Sequence, residues 1–310
     1  MSPQRKTHIY GPVPSRRLGL SLGVDLVPYK TCSYDCIYCQ LGATTKKTVE
    51  LKEYVPTEEV LADFANWLEL DGNADYITMS GSGEPTLHLG LADIIIRIKE
   101  LTEIPVAVIT NGSLMWLESV AEACALADLV VPSLDAGSAE VFAQVNRPHP
   151  DITFDLMLKG LQAFRERYDG AIWLEVMLVG GVNDSPGQIS AMAGLIETIR
   201  PERIQVNTVV RPPTEKYAEC ISPDRLRHLA ATLGGEAIAS FDASHMHEAK
   251  SSHAGSIVEL LKRRPCTVLD IASGLGIHEN EVVKQLNRML EEGTVVAERR
   301  GDSVLYRVAG

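Results

Sequence analysis

Long apolar runs are missing from this chain. Stretches such as Ile94–Ile96 and Leu129–Val131 are a fraction of the ~20 residues that a membrane-spanning helix requires, so no such helix is expected. Met1–Lys6 lacks the apolar core of a secretory signal, and the chain reads as cytoplasmic. Aromatic residues make up only 5%, but 45% hydrophobic and 23% charged residues, with no low-complexity stretch, exclude disorder as the default state. Basic charge is also short: 29 Lys and Arg against 41 Asp and Glu, a net −12, exclude a general nucleic-acid coat. The deficit is uneven, since residues 1–48 hold seven basic side chains against two acidic ones, whereas residues 49–250 hold 14 against 31. No disulfide framework is visible either. Of six cysteines, three fall within Cys32–Cys39, and Cys124, Cys220 and Cys266 are scattered, a distribution that suits a metal better than cross-links.

What the chain does have is rhythm. Strands are expected at 20–26, 76–79, 106–109, 129–132, 173–178 and 203–209. Helices are expected at 57–70, 89–101, 114–126, 153–168, 186–199 and 223–233. Six such units predict an α/β fold with a parallel sheet, a partial (β/α)6 barrel or a doubly wound sheet, working at the carboxyl ends of its strands. Residues 1–234 form the expected core. Residues 235–256, small and polar with His245, His247 and His253, read as a linker. Residues 257–310 read as helix, helix, turn, helix and hairpin, a winged-helix-like layout.

Cys32-x3-Cys36-x2-Cys39 offers three soft thiolates on one loop and no fourth ligand beside them. That spacing can wrap one face of an iron–sulfur cube and leave one iron open, whereas a structural zinc site wants four ligands. A zinc site and plain buried cysteines are the alternatives.

With Tyr38 as the aromatic, Cys-x3-Cys-x-aromatic-Cys resembles the signature of the radical S-adenosylmethionine superfamily, and the resemblance covers residues ~8–235. It implies a partial barrel, a [4Fe-4S] cluster on Cys32, Cys36 and Cys39, and S-adenosylmethionine on the open iron. Reductive cleavage would give a 5′-deoxyadenosyl radical that takes hydrogen from a substrate, with electrons from a flavodoxin- or ferredoxin-type protein. Residues 80–85 resemble the family's Gly-Gly-Glu-Pro segment, which implies Gly81, Gly83, Glu84 and Pro85 at the methionine ammonium. The resemblance also implies Tyr38, Ser133, Asp135, Glu175 and Asn207 as cofactor contacts. Read alone, Ser133 and Asp135 suit a helix cap, and Glu175 is a charge on an apolar strand that needs a partner or a ligand.

A narrower resemblance, to the wyosine-base enzymes that modify a tRNA guanosine, is carried by Tyr10–Gly19, Thr110–Gly112, Asn146–His149 and Arg211–Pro213. Those enzymes carry a second cluster on three further upstream cysteines, and no cysteine precedes Cys32 here. Substrate contacts are expected from Arg16, Arg17, Asn111, Asn183 and Arg211, each of which also reads as a turn or ion pair. Arg147 and Lys159 read as solvated. The substrate class stays open among small molecule, peptide and RNA. Residues 257–310 present Glu279 and Glu281 where a recognition helix would meet phosphate, so they suit protein docking as well as nucleic acid. An iron–sulfur transcription regulator is the competing class.

Overall fold

A computed structural model describes residues 7–15, 17–70, 72–238, 254–275, 279–300 and 303–309. Arg16, the three linker histidines and most of the expected linker lie outside the described residues, as do the Gly276–Ile277 and Gly301–Asp302 turns.

In chain order the elements are β1 (Ile9–Ser15), β2 (Gly19–Val24), β3 (Thr31–Cys32), β4 (Lys46–Lys47), α1 (Thr57–Leu70), β5 (Tyr76–Met79), α2 (Leu91–Leu101), β6 (Val106–Thr110), α3 (Glu118–Cys124), β7 (Leu129–Pro132) and α4 (Ala139–Asn146). They continue with α5 (Phe154–Arg167), β8 (Ala171–Leu178), α6 (Pro186–Ile199), β9 (Arg203–Thr208), α7 (Pro223–Thr232) and β10 (Glu236–Ala237). Beyond these lie α8 (Ala254–Arg263), α9 (Val268–Leu275), α10 (Glu279–Glu291), β11 (Val295–Arg300) and β12 (Ser303–Val308).

One eight-stranded sheet runs β1-β2-β5-β6-β7-β8-β9-β10, parallel throughout except where β1 pairs antiparallel with β2. The parallel strands follow one another in sequence order with no reversal. A doubly wound sheet reverses at a switch point, whereas an unreversed series curls toward a barrel. Side chains divide accordingly. Along β8, Ile172, Leu174, Val176 and Leu178 join the main core under the helices, while Trp173, Glu175 and Met177 take the other face. On that inner face Leu18, Ala107, Leu129 and Val131, with Tyr76, Ile109 and Trp173, form a separate apolar cluster. Most of this plug comes from the first residues of the strands, at the amino end of the barrel.

β1 was not foreseen, because Gly11, Pro12 and Pro14 argue against a strand. As an edge strand it needs few donors, and its register shifts between Tyr10 and Val13, which absorbs the irregularity. The C-terminal elements rest on it. Val13 shares a core with Ile257, Leu260, Leu261, Ile271 and Leu286. Cys266 and Tyr306 exchange backbone bonds of 3.0 and 2.7 Å, which close the hairpin onto the segment between α8 and α9. Among the described residues no helix is long and apolar enough to cross a membrane.

Candidate functional site

The cysteine loop leaves β3 and is held from two sides. On one side lies the 80–85 segment that follows β5. Lys30 N–H donates to Ser82 O at 2.7 Å and Glu84 N–H to Thr31 O at 3.1 Å, so that segment lies flat against the strand ending in Cys32. On the other side residues 145–149 form a short ladder. Ile37 N–H donates to Val145 O (2.9 Å), Asp35 N–H to Asn146 O (3.0 Å), and His149 N–H to Ser33 O (2.8 Å). Arg147 corrects the sequence reading. Far from being solvated, it stands between Asp35 (3.2 Å) and Glu215 (2.7 Å), donates to Asp35 O at 2.6 Å, and ties three loops together. The Asn146–His149 motif is thus spent on bracing this loop.

Within the loop, Ser33, Tyr34 and Ile37 are buried anchors, and the three cysteines between and beyond them stay partly open. Each sulfur faces one side-chain donor: Asn111 Nδ2 at 3.5 Å from Cys32, Asn146 Nδ2 at 3.5 Å from Cys36, and Lys30 Nζ at 3.2 Å from Cys39. Burial, then the charge of Glu84, pushes the Cys32 thiol up to about 12. Burial and Asp135 push Cys36 well up. A metal bound here has protons to displace. Among the described residues no three His, Cys, Asp or Glu side chains stand close enough to share a single ion, the sulfurs of this loop included.

Glycine in the 80–85 segment is there for contact. A Cβ on Gly83 would lie 1.8 Å from Thr31 O, and Gly81, at φ +154°, faces the Asp25 carboxylate 2.6 Å from where its Cβ would be. Asp25 in turn accepts from Ser82 N and Oγ at 2.9 and 2.5 Å. Glu84 is fully engaged. Oε1 accepts from Thr86 N (3.1 Å), Thr86 Oγ1 (2.7 Å) and Thr110 Oγ1 (2.7 Å), and Oε2 from Asn111 N (2.8 Å). The side chain expected at a ligand's ammonium instead pins the segment to β6, and Pro85 starts the single turn that follows. Burial raises its pKa and those four donors pull it back.

Asp135 follows β7 and gathers Tyr38 Oη (2.5 Å), Asn146 Nδ2 (2.7 Å) and Met177 N (2.9 Å). Burial pushes this carboxyl up to about 6 against those donors. Ser133 bridges to Glu175 on β8. Glu175 has the partner its apolar strand required: Arg17 pairs with it across the barrel, and Asn207 Nδ2 donates to it at 2.8 Å. Arg211 donates to Gln40 at 2.8 Å. Arg17, Glu175, Met177, Tyr38, Gln40 and Arg211 line a cavity of about 330 Å³ beside Cys39, which Leu260, Arg264 and Asp270 of the C-terminal elements also line. Asn183 is elsewhere. Fully buried, it donates to Asp135 O and Met177 O and accepts from Val179 N, so its amide serves the backbone. Asn111 likewise faces the cysteine loop. Lys30, Asn146, Arg147 and Arg264 were not foreseen as parts of this site. The sequence signal for Asn146 and Arg147 is the Asn146–His149 motif, which carries the narrower family resemblance; Lys30 and Arg264 have none.

A partial barrel with three thiols at the carboxyl end of its first parallel strands defines an iron–sulfur enzyme class, and a family model for the Radical SAM superfamily matches residues 26–191. The chain belongs to the radical SAM superfamily, whose enzymes use a [4Fe-4S] cluster and S-adenosylmethionine. A UPF0026 protein of Methanocaldococcus jannaschii is 37% identical over 229 residues, covering 73% of this chain and 70% of that protein. A Brachyspira hyodysenteriae protein named GTPase Obg is 36% identical over 312 residues, covering 99% of this chain and 46% of that protein. Among solved structures, Streptococcus suis SuiB bound to S-adenosylmethionine superposes with a TM-score of 0.51 at 18% identity, over 67% of this chain and 45% of that one. The chain spans about half the length of these last two, and the likeness to SuiB is one of fold.

The residues fit the superfamily's cofactors on structural grounds. Each of the three sulfurs meets a side-chain N–H donor, and a glycine segment lies where any Cβ would collide. Asn207 Oδ1 and Asn146 Oδ1 are buried without a partner.

Proposed function

We propose that Cys32, Cys36 and Cys39 hold the cluster, that residues 81–85 receive the methionine end of S-adenosylmethionine, and that the cavity between barrel and C-terminal elements receives the substrate. When bound, the cluster and S-adenosylmethionine would supply the means to take a hydrogen atom from the substrate. The chain's own residues do the rest. Gly81 and Gly83 bring bare backbone close, Glu84 fixes that backbone to β6, and Asp135 orients Tyr38 beside the cysteines. The apolar plug keeps water from the amino end of the barrel. Arg17 and Arg211 suit a carboxylate or phosphate on the substrate, and Glu175, held by Arg17 and Asn207, suits a hydroxyl or amine.

Residues 254–309, in our reading, form a winged-helix-like unit whose task is closure. Its α8 and α9 faces are spent on β1, and it lines the cavity with Leu260, Arg264 and Asp270. The electron comes from an external protein of the flavodoxin or ferredoxin type. One observation carries the reading: the glycine segment and the strand leading into the three-cysteine loop are joined by backbone bonds, so the cluster and methionine sites are tied to each other.

Anaerobic reconstitution with dithionite and S-adenosylmethionine, assayed for 5′-deoxyadenosine against Cys36→Ala, tests it. Product that vanishes in the variant is expected. A full cluster that binds no S-adenosylmethionine would point to the sensor class instead.

A further inference from the structure

Lys30 is a buried cation without a carboxylate. It is 3% exposed, and its ammonium meets Cys39 Sγ at 3.2 Å. Among the described residues no Asp or Glu lies within ion-pair distance of it. A buried charge of this kind is tolerated only where another charge answers it. Nor is the lysine there by slack. Its backbone, at φ +57°, is pinned through N to Ser82 O and through O to the amides of Thr45 and Lys46, both at 3.1 Å. From that fixed backbone the side chain runs inward and ends at Cys39 Sγ.

The other two sulfurs have neutral donors of equally fixed orientation. Asn111 Nδ2 also donates to Ser33 Oγ at 2.8 Å while its Oδ1 accepts from Ser113 N at 2.9 Å, which leaves the amide no freedom to flip. Asn146 Nδ2 is fixed by Asp135 at 2.7 Å. A cluster on three thiolates gains a further negative charge when one electron enters it. A fixed ammonium and N–H bonds on its sulfurs stabilise that reduced form more than the oxidised one, and sparse water magnifies the effect.

We propose that Lys30, supported by Asn111 and Asn146, sets the reduction potential of the cluster, raising it to where an external one-electron donor can reduce it. The inference rests on the assignment of Cys32, Cys36 and Cys39 as ligands. The electron comes from the donor and resides on the cluster.

The test uses full-length protein, reconstituted and assayed for iron and sulfide. The midpoint potential is read by EPR at poised potentials without S-adenosylmethionine, and the affinity for S-adenosylmethionine by equilibrium dialysis. Lys30→Met with a full cluster is expected to shift the midpoint to more negative potential, Lys30→Arg to stay near the wild-type value, and neither to change affinity by more than about twofold. An unchanged midpoint in cluster-loaded Lys30→Met would overturn the proposal. So would lost affinity at an unchanged midpoint, which would make Lys30 a contact for the methionine carboxylate. If Lys30→Met does not retain its cluster, Asn111→Leu and Asn146→Leu must each shift the midpoint in the same direction by a smaller amount, and coincident midpoints would overturn it. Wild-type protein that takes up no cluster would remove the ligand assignment itself, a result distinct from an unchanged midpoint.

Discussion

Glu84 accepts from four donors, two on Thr86 in the turn that follows it and two at the end of β6 and just beyond, so its first duty is to the protein. Glu84→Ala leaves buried donors without acceptors and should cost on the order of 3 kcal/mol in urea unfolding, with Glu84→Gln costing less. Unchanged stability with lost S-adenosylmethionine affinity would return the side chain to the ligand. Gly83→Ala acts by collision instead. Its Cβ would lie 1.8 Å from a backbone oxygen that cannot move without moving Cys32, so at least a tenfold loss of S-adenosylmethionine affinity is expected, read by dialysis. Gly187→Ala, with nothing within 4 Å of its Cβ, should leave affinity unchanged. The cysteines and the glycine segment were legible because local spacing defines them. Lys30 and Asn146 were not, since their meaning lies in which sulfur they meet across 9 and 110 residues of chain. Glu175 was half legible: a charge on an apolar strand demanded a partner, but only the fold supplies Arg17.

At the level of elements, the βα rhythm was readable because helices with one apolar face and buried parallel strands have different periods. Strands 76–79 and 129–132 and helices 57–70 and 186–199 stand where they were expected. β1 was hidden by its prolines and α4 by its shortness. The 145–149 ladder has no strand periodicity, being the end of α4 and the residues after it, whose free backbone groups pair with the cysteine loop. Arg147 holds that arrangement through a partly buried pair of carboxylates. Arg147→Met keeps the ladder's backbone bonds but loses both ion pairs and the bond to Asp35 O. A stability loss of about 1–2 kcal/mol follows. The sharper consequence is on the metal: iron should pass to a chelator several-fold faster than from wild type. Equal transfer rates would mean that the backbone ladder alone holds the loop.

Across the whole molecule, a sheet ordered without reversal leaves its first strand at an edge, and the C-terminal elements use that edge as their seat. Sequence could mark residues 257–310 as a separate pattern, but not that their core would include Val13, because nothing local links residues this far apart. The seat matters for the cavity, since the same elements that pack on Val13 place Leu260 and Arg264 in its lining. Val13→Asp puts a carboxylate into a shared apolar core, where it has no partner, at a cost of several kcal/mol. Hydrogen exchange resolves where that cost falls. Amides of β1, α8 and α9 should lose protection at least tenfold while β5 to β9 keep theirs, because the main core under the helices does not touch Val13. Ile96→Asp, on the exposed face of α2, should change neither region. A uniform rise across β5 to β9 would show that barrel and C-terminal elements open as one body, and the cavity would then have no independently moving cover.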